Sequence, residues 1–183
     1  AYPLIAYYRG YLRTLRHESP DADYAAASLM PTTYVFPNRP ELIVVLSDAI
    51  ARNPKDATAH FLLGALHLSS GNTDAAIKSW ETAASLNPGI PTVPRSLGLT
   101  LLERGGADIE KAIAVLREGT KFDPRNVGVY TALEEALARA RRPAAERADA
   151  LLSFPDPKAL PASLVYKLAT ALAQAERFDD AEK

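Results

Sequence analysis

The 183-residue chain contains no cysteine, one tryptophan and one methionine. Without cysteine there is no disulfide framework, no thiolate nucleophile and no thiolate zinc site, so the redox compartment leaves no trace in the sequence. An excess of one charge is also missing. Lys and Arg number 21 against 22 Asp and Glu, a net charge of −1, which argues against a general nucleic-acid binder. No apolar run approaches the ~18 residues of a membrane span. The chain shows no signal-peptide pattern, no Gly-rich phosphate loop and no nucleophile motif beside a base. What remains is 48% hydrophobic and 23% charged, a composition for one domain or one array of repeats with ample core.

What the sequence does have is internal repetition. Leu63-Gly64 recurs as Leu97-Gly98, 34 residues later, and Asn53-Pro54 recurs as Asn87-Pro88 at the same interval. Asp123-Pro124 follows at 36, the two extra residues falling at Gly105-Gly106, where a turn is lengthened. A period of 34 with helical apolar spacing inside it describes paired helices. The stretch AHFLLGALHLSSGNTDAAIKSWETAASLNP, Ala59 to Pro88, shows the plan. Gly64 and Ala76 let two helices approach, while Leu63 and Trp80 fill the space that is left. Gly71 ends the first helix, Asn72 or Thr73 caps the second, and Pro88 stops it.

This stretch resembles the tetratricopeptide repeat, whose pattern is carried here by His60, Leu63, Gly64, His67, Ala76, Trp80, Ala83 and Pro88. Two of its aromatic slots hold His. The resemblance covers Leu42 to the chain end and is looser upstream. It implies an all-α, right-handed superhelical solenoid of about ten helices in antiparallel pairs. Residues 57–90 and 91–126 are repeats; 127–161 is degenerate, with Glu134 in the Gly slot; 162–183 is truncated, with Ala181 in a small-residue slot. Residues 1–56 form an irregular helical segment with a loop at 31–38. Two strand-like runs, LIVVL and TTYVF, are placed in a helix and in that loop, so almost no β-structure is expected. YVFPNRPELIVVLSDAI followed by IKSWETA also resembles, more weakly, the C-terminal repeat region of large bacterial proteins with an N-terminal β-sandwich of poorly defined function. The chain opens without Met and stops inside an unfinished pattern, which reads as a piece of a longer protein. The compartment stays open, the cytoplasm slightly favoured.

Candidate sites are few. His60 and His67 lie seven apart on one helical face with no third ligand, so they read as packing residues rather than a metal pair. Glu134-Glu135 and Asp179-Asp180 read as solvated faces. Arg139, Arg141, Arg142 and Arg147 read as helix-end cations partly paired with Glu146 and Asp149. No cofactor and no metal are expected.

The resemblance implies a concave groove lined by first helices, with Phe61, Ala65, Leu68, Arg95, Leu99, Leu102, Glu103, Thr131, Glu135, Arg139 and Tyr166 facing inward. Chaperone-binding members hold a peptide carboxylate with Lys and Asn in such slots; Phe61 and Ala65 stand there instead. Phe61, Leu68, Leu99 and Leu102 are expected to form an exposed apolar patch, with Arg95 and Glu103 beside it. A rival surface is the aromatic N-terminal segment, Tyr7, Tyr8, Tyr11, Tyr34 and Phe36, which suits either an end interface or an aromatic core. The function expected is a non-catalytic protein-interaction scaffold that holds an extended or helical protein segment. The alternative is an accessory helical module of a large carbohydrate-related bacterial enzyme, packed on its own catalytic domain.

Overall fold

The computed structural model describes residues 2–156 and 159–181. Among the described residues there are eleven helices, where about ten were expected, and no strand. They are α1 (Pro3–Leu15), α2 (Asp21–Ser28), α3 (Leu42–Arg52), α4 (Ala57–Ser69), α5 (Thr73–Leu86), α6 (Thr92–Arg104), α7 (Asp108–Phe122), α8 (Val127–Arg139), α9 (Ala144–Leu152), α10 (Ala162–Gln174) and α11 (Phe178–Ala181). LIVVL lies in α3 and TTYVF in the loop after α2. The chain forms two compact units that divide between Val93 and Pro94. The end of the truncated repeat, Glu182 and Lys183, lies outside the described residues.

The 34-residue period has a backbone cause. Asn53, Asn87 and Asp123 each precede proline, which disfavours the α region. Each accordingly leaves the helix with ψ of 87°, 91° and 80°, while its N–H still bonds the carbonyl of Ala49, Ala83 or Gly119. Three residues past each of the first and third stops, Asp56 and Asn126 cap the next helix, accepting from the N–H of Ala59 and Val129. Side chains repeat with the backbone. Leu42, Leu46 and Ala49 of α3 are buried, as are Ala76, Trp80 and Ala83 of α5 and Ala112, Leu116 and Gly119 of α7.

First helices share a second device. α4 ends in a Schellman turn, Gly71 at φ 76° with Asn72 N–H on His67 O and Gly71 N–H on Leu68 O. The same pair of bonds closes α1, α8 and α10 around His17, Arg141 and Glu176, all at positive φ. Non-glycine residues in this region carry a conformational cost, which the two backbone bonds of each turn offset.

In the first unit α4 and α5 pack across Gly64. A Cβ added there would stand 2.5 Å from Nε1 of Trp80. Gly64→Leu is therefore expected to cost roughly 1–3 kcal/mol through overpacking. Thermal denaturation checks it, and an unchanged midpoint would refute this packing. α1 makes the same kind of approach to α2, where Gly10 lies under the Tyr24 ring. A latch of carboxylates ties these two helices to the repeat. The Tyr7 hydroxyl lies 3.0 and 2.9 Å from the two oxygens of Asp56, the residue that caps α4. Tyr24 and Thr14 both donate to Asp48 of α3, and Arg9 and Arg13 share the buried Asp23 of α2. Burial pushes the Asp56 carboxyl above its ordinary range, against the pull of the Ala59 N–H and the Tyr7 hydroxyl.

The second unit repeats the glycine contact. Gly98 of α6 faces Leu116 of α7, where a Cβ would fall 2.5 Å from the Leu116 side chain. Gly119 admits Pro94 in the same way. The unit then closes on an apolar cluster of Tyr130, Leu151, Phe154, Leu160 and Leu164, with the Tyr130 and Phe154 rings edge to face at 5.1 Å.

Candidate interaction surfaces

The equivalent of Gly64 and Gly98 in α8 is Glu134, and the structure corrects its place on a solvated face. Glu134 is 1% exposed. Its carboxylate takes Arg147 of α9 on one oxygen and Lys167 of α10 on the other. Where earlier pairs bury an aromatic or leucine against glycine, this one buries a charge and brings two cations to it. Burial alone would raise the Glu134 carboxyl, but the bonds and charges of Lys167 and Arg147 outweigh it and hold the group below the ordinary carboxylate range.

Three of the four clustered arginines pair with carboxylates, though with other partners than Glu146 and Asp149. Arg139 pairs with Glu135, Arg142 with Glu110 at 2.5 Å and Arg147 with Glu134, while Glu146 goes to Arg117 and Asp149 to Arg177. Asp180 takes the other side of Arg177. His60 sets a ring nitrogen 3.1 Å from the Pro54 carbonyl, a packing role, and His67 is half-buried. Among the described residues no group of three His, Asp or Glu is placed to hold a metal. The same residues include no helix long and apolar enough to cross a membrane.

The groove residues separate by unit. In the first unit Phe61 is 5% exposed, so its assignment to an open apolar patch is corrected. Its carbonyl accepts the Trp80 indole N–H at 3.0 Å, and the neighbouring inward residue Thr58 donates to Ser28 O at the end of α2. The chain's own second helix thus reaches the start of α4. Ala65 is half-buried and Leu68 partly exposed. In the second unit Leu102 is buried too, a second correction, and its carbonyl accepts from Arg139 Nη1 at 3.3 Å. Leu99 and Glu135 are half-buried, whereas Arg95, Glu103, Thr131 and Arg139 are exposed. Tyr166 stands 74% exposed. α6 and α8 meet closely on this side, with Arg95 lying across Gly128, where a Cβ would be 3.0 Å from Arg95 Cδ.

The aromatic N-terminal set also splits. Tyr7 is fully buried and belongs to the core, which corrects its place in an end interface. Tyr8 and Tyr11 are half-buried, while Tyr34 and Phe36 are exposed in the loop between α2 and α3. A feature the sequence did not signal is a cleft of about 320 Å³ between α3, α4 and α5, lined by Ile50, Ala51, His60, Leu63, Lys78 and Thr82. Its residues come from three helices, and only the packed fold brings them together.

Antiparallel helix pairs repeating at 34 residues, joined by like turns and small-residue contacts, define a helical-repeat protein. The chain carries a tetratricopeptide repeat, matched over residues 45–91, and its fold is that of tetratricopeptide repeat proteins. One similar structure is YrrB, described as a tetratricopeptide repeat protein with an unusual peptide-binding site. It has TM-score 0.62 and 16% identity over 87% of this chain and 79% of that one. MamA matches with TM-score 0.56 and 19% identity over 99% and 96%. PilF of Pseudomonas aeruginosa matches with TM-score 0.59 and 17% identity over 98% and 72%. No curated protein matches the chain.

Proposed function

We propose that the chain is a non-catalytic interaction scaffold, and that the α6–α8–α10 side of its second unit holds an extended or helical segment of a protein partner. One comparison carries this reading. The fifth slot of successive first helices holds Phe61, Arg95, Thr131 and Tyr166. Phe61 is 5% exposed and serves as core, whereas Tyr166 is 74% exposed. The side chains around that slot are chemically mixed. Arg95 offers a cation, Glu135 and Arg139 a paired polar contact, and Tyr166 a broad ring face suited to an anchor. YrrB's described peptide-binding site supports the class of partner by analogy of fold.

The test is a random peptide library selected on the whole chain, with affinities read by fluorescence anisotropy. Tyr166→Ser is expected to weaken selected peptides by about tenfold, with helical content unchanged. Peptides indifferent to Tyr166→Ser and to Arg95→Ala would overturn the assignment. A second reading, an accessory helical module docked on a carbohydrate-related domain of its own protein, draws on the α2–α3 loop, where Tyr34 and Phe36 stand exposed. That reading predicts that Tyr34→Ser with Phe36→Ser, and not Tyr166→Ser, disturbs the association.

A further inference from the structure

α1 buries one side in the first unit through Leu4, Ala6, Tyr7 and Gly10. Its other side carries Ile5, Tyr8, Leu12 and Leu15, spaced three, four and three apart. Ile5 is 65% exposed, Leu12 51% and Leu15 59%, with Tyr8 half-buried between them. At 100° per residue these four form a single ridge, the spacing of a coiled-coil seam. A soluble surface does not ordinarily leave three large aliphatics in a row uncovered.

The charges that the helix itself sets beside the ridge are of one sign. α1 contains Arg9 and Arg13 and no acidic residue, and Arg16 follows as its C-cap. By the same helical step all three fall on one flank of the ridge. Asp23 is shared by Arg9 and Arg13, and Glu18 meets Arg13 from beyond the helix end. Arg16 has no ion pair among the described residues. Within the ridge Tyr8 meets Glu41, itself beside Arg39. A helix laid along the ridge therefore meets apolar residues at the seam and guanidinium groups along one edge.

We propose that the α1 ridge docks an amphipathic helix of a protein partner, with apolar residues at three-four spacing and Asp or Glu along the edge that meets the arginines. A second copy of this chain is the poorer occupant, because its α1 brings only arginines to these arginines. A membrane surface is poorer as well. Half of α1 is packed into the fold, and an interfacial helix needs its broad apolar face free. This ridge lies in the first unit and is independent of the binding face assigned to the second.

The probes are two labelled synthetic helical peptides, both with Leu at three-four spacing, one with Glu and one with Lys at the edge positions. Both are titrated into the full 183-residue chain. The Glu peptide is expected to bind about tenfold tighter than the Lys peptide. Ile5→Ser with Leu12→Ser should reduce its affinity by about tenfold, and Arg16→Glu should erase the preference between the peptides. Melting midpoints of these variants should match the parent, since the altered side chains are exposed. Equal affinities, no binding of either peptide, or indifference to the ridge variants overturns the proposal. Binding lost in Tyr166→Ser instead places the peptide on the second unit and also overturns it, without harm to the function proposed there. Two other results assign the ridge to a different occupant and overturn the proposal too. One is self-association abolished by Leu12→Ser. The other is capture by phosphatidylserine–phosphatidylcholine vesicles abolished by the same change.

Discussion

Replacing Trp80 by Ala is expected to lower the stability of the fold by about 3–5 kcal/mol. Trp80 is the largest fully buried side chain. It fills the space Gly64 leaves open and spends its indole N–H on the Phe61 carbonyl at 3.0 Å. Truncation removes the packing and the bond together, and backbone contacts between α4 and α5 keep the void from collapsing completely. Trp80→Phe separates the two losses, since it restores much of the volume without the donor and should recover more than half of the deficit. Chemical denaturation of the three proteins measures it. A Trp80→Ala loss under about 1 kcal/mol would mean that the helices close over the gap.

The second large effect is expected where the glycine contact gives way to charge. Arg147→Met together with Lys167→Met leaves the Glu134 carboxylate buried with no cation, at a cost of about 3 kcal/mol at neutral pH. The pH dependence should invert. In the parent chain the group is held below its ordinary range, so its contribution is full above that range and is lost as pH falls through the depressed value. In the double variant burial acts alone and raises the carboxyl. The deficit then grows as pH rises through the raised value and shrinks as the medium is acidified toward about pH 4. Denaturation at the two pH values reads the sign directly. A deficit that is equal at both would show that water reaches Glu134 once its partners are gone.

Features repeated along the chain were legible from the sequence, and features that occur once were not. Asn53-Pro54, Asn87-Pro88 and Asp123-Pro124 mark helix ends because a residue before proline leaves the α region, a local rule needing no knowledge of the fold. Gly64 and Gly98 point to close helix contacts for a similar reason. The turns at His17, Arg141 and Glu176 escaped notice because glycine is the usual sign of a Schellman turn and none of the three is glycine. Glu134 looked like one of two adjacent surface acids. Its cations lie 13 and 33 residues away, and only packing makes that distance short. By the slot it occupies, Phe61 is expected in an open groove, yet it is buried. Its neighbour Thr58 bonds the end of the chain's own α2, a contact between distant residues that the repeat pattern does not announce. Tyr7 belongs to the same class of surprise, since its partner Asp56 is 49 residues on.

The stops at Asn53 and Asn87 leave their helices with nearly matching backbone angles, φ −130° and ψ 87° against φ −147° and ψ 91°. Each is a joint of one pattern, so the peptide from Pro54 to Asn87 begins and ends in the same pose. A segment with that property is a natural unit of copying: spliced out or duplicated at its joints, it presents its neighbours with the backbone direction they already meet. Cuts made elsewhere in the period split a hairpin and strand an unsatisfied helix end. Lengthening such a chain by duplication thus favours whole multiples of one period. Gly105-Gly106, with both residues at positive φ, shows how a later irregularity can be absorbed inside a turn without disturbing the joint that follows.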